Sequence, residues 1–222
     1  MKSKILILFA SALIISSCGG PSGKKVKSEE AKKEKTEVSG IEYLANTSTS
    51  NINWLGTKST GEHFGDIKIK SGKLVMNDDV LVGGEFIIDM NTISNEDLED
   101  ATYNQKLVGH LKSADFFDVE KFPIASFKIT EAKILENAEM IDGITPNYNI
   151  TGNLTLKGIT KSITFEAVVD LNDKGVSAFA PQFVIDRSEW DVRYGSRKFF
   201  DDLKDKFIYD EMGIDISLNA EK

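Results

Sequence analysis

Side chains able to do chemistry are few in this chain, and they do not cluster. The only two histidines, His63 and His110, come without an HxH, HExxH or Cys-rich pattern. Zinc needs three or four ligands at fixed geometry, so both read as structural or capping residues and no metal is expected. No Gly-x-Ser-x-Gly elbow, P-loop or GxGxxG fingerprint occurs. The carboxylates are spread over turns and outward-facing positions, as on a solvated acidic surface, and no two of them pair as acid and base. No cofactor and no enzymatic activity are expected. One cation stands out. Arg187 shares strand parity with Phe183 and Ile185, so an unbent strand would aim it inward, where a guanidinium requires a partner. That partner is either a ligand headgroup or an internal carboxylate, Asp115 or Asp118. The ion pair is favoured, because a bend at Asp186 or Ser188 turns the strand outward.

The single cysteine, Cys18, has a chemistry of its own. Lys2 and Lys4 precede an apolar run of eleven residues, 5–15, too short to span a bilayer as a helix and typical of a signal peptide. The run ends in Ile15-Ser16-Ser17-Cys18, a lipobox pattern. The expectation is cleavage after a signal peptide of residues 1–17, acylation of Cys18 and a membrane anchor on the periplasmic side. Each buried methylene of such an anchor adds about 0.8 kcal/mol. Gly19 stands where an inner-membrane retention signal would show Asp, which favours the outer membrane.

Bulk properties narrow the classes. The 222 residues, 41% of them hydrophobic, suit one domain with some extra sequence, and a formal charge of −8 argues against a general nucleic-acid binder. Residues 18–40, rich in Gly, Lys and Glu, read as a charged flexible tether. The folded domain is expected over 41–222.

Within it, apolar residues recur with period two. Ile52 and Trp54, Ile67 and Ile69, Phe86 and Ile88, Phe127 and Ile129, Leu154 and Leu156, Phe165 and Val169, Phe183 and Ile185, and Ile214 and Ile216 each share a face. Gly83-Gly84 suggests a bulge, and Lys157-Gly158 and 172–175 suggest turns. Between the strand-like runs, 95–111 reads as a helix with acids early and His110 and Lys112 at its end. Three phenylalanines, Phe116, Phe117 and Phe122, follow within seven residues. The pattern predicts a mainly β protein, an eight-stranded antiparallel barrel with a helical insertion, since closure removes exposed edges. Its inward set is Trp54, Phe86, Ile88, Phe127, Ile129, Leu154, Leu156, Phe165, Phe183 and Ile185, with Phe116 and Phe117 plugging one end. Such a set either fills a core or lines a ligand tunnel, and parity alone leaves both open.

Three ordered motifs carry a resemblance. His110-Leu111-Lys112-Ser113 through Asp115-Phe116-Phe117-Asp118 to Phe122-Pro123, then 152–161, then Ile185-Asp186-Arg187-Ser188, resemble the signatures of the YceI-like proteins over about 51–218. The resemblance implies a lipocalin-like barrel that holds a long polyisoprenoid, such as a quinone-like or polyprenyl lipid, in its lumen. Homodimers occur among such proteins. The chain departs from the pattern in its lipobox and tether, and in the charged run 189–197, which is expected at the barrel mouth. The expected function is an envelope carrier or store of an apolar lipid. The alternative is a stress or assembly module with a filled barrel and no lipid.

Overall fold

A computed structural model describes residues 20–34 and 38–222. The expected signal peptide and Cys18 lie outside the described residues. The first strands are short: β1 (Lys24–Lys25), β2 (Glu29–Glu30) and β3 (Ile41–Ala45). Then come β4 (Asn51–Lys58), β5 (Gly61–Asn77), β6 (Val80–Asp89), helix α1 (Ala101–Lys112), β7 (Ile124–Ile134), β8 (Tyr148–Leu156), β9 (Ile159–Asn172), β10 (Gly175–Asp186) and β11 (Ile208–Glu221).

Each strand from β4 to β11 pairs antiparallel with the next, and β11 returns to β4. The result is the closed eight-stranded antiparallel barrel. β3 lies in the same stave as β4, between β11 and β5. The expected bulge is present beside Gly83, where Val75 pairs with Gly83 but Met76 pairs with Leu81. Lys157 and Gly158 both have positive φ, 50° and 75°, the hairpin geometry whose twist matches the flanking strands.

Two long connections, 90–123 and 187–207, meet at one end of the barrel, called the mouth here. At the opposite end are the turns 78–79 and 173–174 and the loop 135–147.

The helix is shorter than the acid-to-base pattern predicts. It begins at Ala101, capped by the Asp100 carboxylate, which accepts from the Thr102 and Tyr103 amides. Residues 95–99 stay irregular because their side chains are committed elsewhere. The Asn95 amide donates to the Phe64 carbonyl at 3.0 Å, and the Asp97 carboxylate accepts from the Phe64 amide at 2.9 Å. Such side-chain bonds to backbone compete with helix formation.

The segment expected as a solvated tether also behaves differently where it is described. β9 and β10 pair only from Gly175 to Phe179. Nearer the mouth they part, and the N-terminal segment occupies the seam. β1 runs parallel to β10 at Phe183 and Val184, while β2 runs antiparallel to β9 at Lys161 and Ser162. Val26 donates to the Val184 carbonyl at 2.9 Å. Further on, the Asn153 side chain both accepts from and donates to the Lys32 backbone, at 2.9 and 2.8 Å. Composition signalled polarity here correctly, but exposed strand edges recruit backbone whatever its side chains.

Candidate functional site: the barrel lumen

The inward faces of the strands enclose a cavity in which the centre of a water-sized sphere explores about 150 Å³. Its wall comprises 28 residues, all aliphatic, aromatic or methionine. The one polar atom among their side chains, the Trp54 indole nitrogen, is occupied by the Ser94 carbonyl at 3.1 Å. A cavity so lined offers water no partners and suits an apolar occupant.

Of the residues expected inside, Trp54, Phe86, Ile88, Phe117, Phe127, Ile129, Leu154, Leu156, Phe165, Phe183 and Ile185 line this space. Three rings, from β7, β9 and β10, form a ladder along the wall. Phe165 stacks on Phe183 with centroids 4.6 Å apart and planes within 3°, and Phe127 tilts against Phe165 at 5.6 Å. Two glycines make room for rings. A Cβ on Gly152 would sit 2.3 Å from the Phe127 ring, and one on Gly72 would sit 2.2 Å from Phe86. The rings therefore lie flat along the wall instead of filling the centre.

Phe116 is the exception. It is buried but absent from the lining, because the turn after α1 sends it the other way. Its ring meets Phe117 at 5.0 Å, His110 at 6.0 Å and the Arg187 guanidinium at 5.3 Å. Only Phe117, with Leu111, Met90 and Ile93, closes the lumen at the mouth. The turn is held by backbone: Ser113 accepts from the Phe116 and Asp118 amides, and Asp118, at φ 50°, accepts from Phe122.

Arg187 does not reach the lumen. The strand ends at Asp186, and Arg187 opens a 3-10 turn, Arg187–Trp190. Its guanidinium donates to the carbonyls of Val192, Tyr209 and Ile208 at 2.7, 3.3 and 3.3 Å. It also faces the Asp210 carboxylate at 3.3 Å. The ion pair is structural, and its partner is Asp210, not Asp115 or Asp118. Burial pulls the Arg187 pKa down, opposed by Asp210 and Asp186. Burial works to raise the neighbouring Asp186, but bonds from Lys198 and Ser188 outweigh it and hold that carboxyl below its ordinary value. The run 189–197 divides between core and surface. Trp190, Val192 and Ser196 are fully buried, while Tyr194 is exposed.

Both histidines sit apart from the cavity. His63 Nδ1 lies 2.8 Å from Asp97, and His110 packs edge-on to Tyr194. Lining residues outside the expected set include Met90, Ile93, Ala167, Ala180 and Met212. Ile93 lies in the connection after β6, where no period marks a facing, whereas Met90 continues the alternation of Phe86 and Ile88 and its place in the wall follows from that spacing. Ala167 and Ala180 are small and carry little hydropathy signal.

A YceI-like domain family model matches residues 43–220. Among curated proteins, a UPF0312 protein of Enterobacter sp. (strain 638) is 50% identical over 58 residues, 26% of either chain. A UPF0312 protein of Yersinia enterocolitica is 38% identical over 78 residues, 35% of either chain. The Protein YceI of Salmonella arizonae is 47% identical over 58 residues, 26% of either chain. The matched stretches thus span between 26% and 35% of these relatives' length. Two solved structures share the fold. BcnA of Burkholderia cenocepacia matches with a TM-score of 0.58 at 22% identity, over 78% of this chain and 98% of that one. A polyisoprenoid binding domain from Saccharophagus degradans matches with a TM-score of 0.57 at 15% identity, over 81% of this chain and 97% of that one.

Proposed function

The chain belongs to the YceI-like family, and from that premise we propose that it binds a long apolar lipid of the polyisoprenoid type in its lumen. In this reading it carries or stores that lipid in the bacterial cell envelope, held to the membrane through acylated Cys18 on the periplasmic side. The observation that carries the reading is the cavity wall, whose 28 residues are all apolar. Burial of isoprenoid surface there yields about 25 cal/mol per Å², and a hydrocarbon chain asks for no polar contact along its length. The fold shared with a polyisoprenoid binding domain supports the same ligand class.

The action is sequestration. The lipid leaves one apolar phase for another, with Leu111 and Phe117 at the mouth and α1 above them. Leu111 is the only buried residue of α1, so the helix is held to the barrel by little apolar contact and belongs to the elements that open at low cost. Trp54 provides the test. Its indole lines the lumen, whereas Trp190 is buried outside the lining. Titration with a polyprenyl quinone is expected to quench the fluorescence saturably, and Trp54→Phe is expected to abolish most of that quenching. Linear, unsaturable quenching that is equal in the variant would contradict binding in the lumen.

A further inference from the structure

Among the described residues, the exposed large apolar side chains are sorted by kind between the two ends of the barrel. Phe64, Tyr103, Tyr194, Phe199 and Phe200 are all aromatic and belong to the mouth end, whereas Ile41, Leu44, Val80, Ile134 and Met140 are aliphatic and belong to the opposite end. Tyr rings are enriched at the boundary between lipid headgroups and acyl chains, and Phe serves on the apolar face of segments that lie in it.

The cations at the mouth accompany these rings. The Arg193 guanidinium lies 4.9 Å from the Phe199 ring centroid, and that of Arg197 lies 3.5 Å from that of Phe207. Arg193 pairs with Asp191 and Lys198 with Asp186, and the whole connection 187–207 carries six basic and five acidic side chains in a chain whose net charge is −8. This connection is thus close to neutral and is repelled by anionic lipid less than the chain as a whole. Rings in the acyl boundary with guanidinium groups at the phosphates satisfy both parts of such side chains.

The start of the described chain lies at the same end. Gly20 rests against Glu211, to whose Cβ an added Cβ would lie at 3.4 Å, and Glu211 pairs with Asp186 at the mouth-side end of β10. Two residues of chain reach at most about 7 Å, so an acyl group on Cys18 is tethered beside the mouth.

We propose that the barrel stands mouth-down on the bilayer that holds its anchor, with Tyr194, Phe199 and Phe200 in the headgroup–acyl boundary. This orientation rests on the anchored, lipid-binding reading above and deepens it. The lumen then opens onto the phase in which its ligand is dissolved, and an isoprenoid enters without crossing water.

The full acylated chain carries no other cysteine than Cys18, so Phe200→Cys and Lys174→Cys each place one free thiol for an environment-sensitive fluorophore. Both positions are exposed, the first at the mouth and the second in the far turn between β9 and β10. The labelled proteins are reconstituted in phosphatidylethanolamine/phosphatidylglycerol vesicles containing nitroxide-bearing acyl chains, and circular dichroism checks the fold. The expected result is several-fold quenching of the label at 200 and none at 174. With protein bound to the vesicles, quenching at 174 alone, at both sites equally or at neither overturns the orientation. Protein that separates from the vesicles on flotation overturns the anchored reading itself, and the orientation with it.

Discussion

Replacing Arg187 with alanine would leave Asp210 nearly buried without its cation and strip three carbonyls of a donor. Removing one partner of a buried pair costs about 3–5 kcal/mol, so Arg187→Ala should melt well below the parent in a calorimetric scan. Because the guanidinium lies outside the lumen wall, lipid bound per folded molecule should not change. Loss of lipid at an unchanged melting temperature would instead make Arg187 a headgroup contact. Parity located this residue up to Asp186 and failed one position later. The Asp186 carboxylate accepts from the Ser188 amide and starts a turn, and no period in the sequence records which way a turn sends the next side chain. Phe116 and Phe117 carry the same lesson. They are adjacent and alike, yet only the second faces the cavity, because Asp118 takes a left-handed conformation that folds the chain back on Ser113. Within strands, by contrast, alternation was sufficient. Phe127, Leu154, Phe165 and Phe183 could be assigned to the inner face from spacing alone, since a register slip would have turned each of them to water.

At the level of elements, the N-terminal segment is the least legible part of the chain. Its residues are polar, so composition places it in solvent, but its backbone completes the seam between β9 and β10. Asn153 is a principal fastening, with its amide bonded in both directions to Lys32. Side-chain ion pairs from Lys24 to Glu166 and from Lys25 to Glu211 add to it, though exposed pairs contribute only about 0–1 kcal/mol each. Asn153→Ala should therefore speed amide exchange of residues 24–32 while leaving exchange in β4 to β6 unchanged, as read by hydrogen–deuterium mass spectrometry. Unchanged exchange in the segment would mean that the seam holds without this clamp. Helix α1 was legible in kind but not in extent. Charge at its two ends predicted it, while the bonds from Asn95 and Asp97 to Phe64 that delay its start link residues far apart in sequence.

For the molecule as a whole, the eight-stranded closure follows from eight alternating runs, since every open arrangement of them would leave two unpaired edges. Whether the enclosed space is filled was not legible. That depends on where each ring lies within its volume, and Gly72 and Gly152 decide it by letting Phe86 and Phe127 flatten against the wall. The lumen wall is thereby apolar, and polar side chains buried in the strands, among them Thr130, Thr151 and Ser162, lie outside it. The most direct test is to purify the protein in mild detergent from the cells that make it, extract it with organic solvent and identify the extract by mass spectrometry against the protein amount. An isoprenoid-chain lipid at about one molecule per barrel is the predicted result, and it should be depleted when Ala180 in the wall is replaced by phenylalanine. An extract holding only bulk membrane phospholipid, in amounts indifferent to Ala180→Phe, would contradict the lumen as a lipid site.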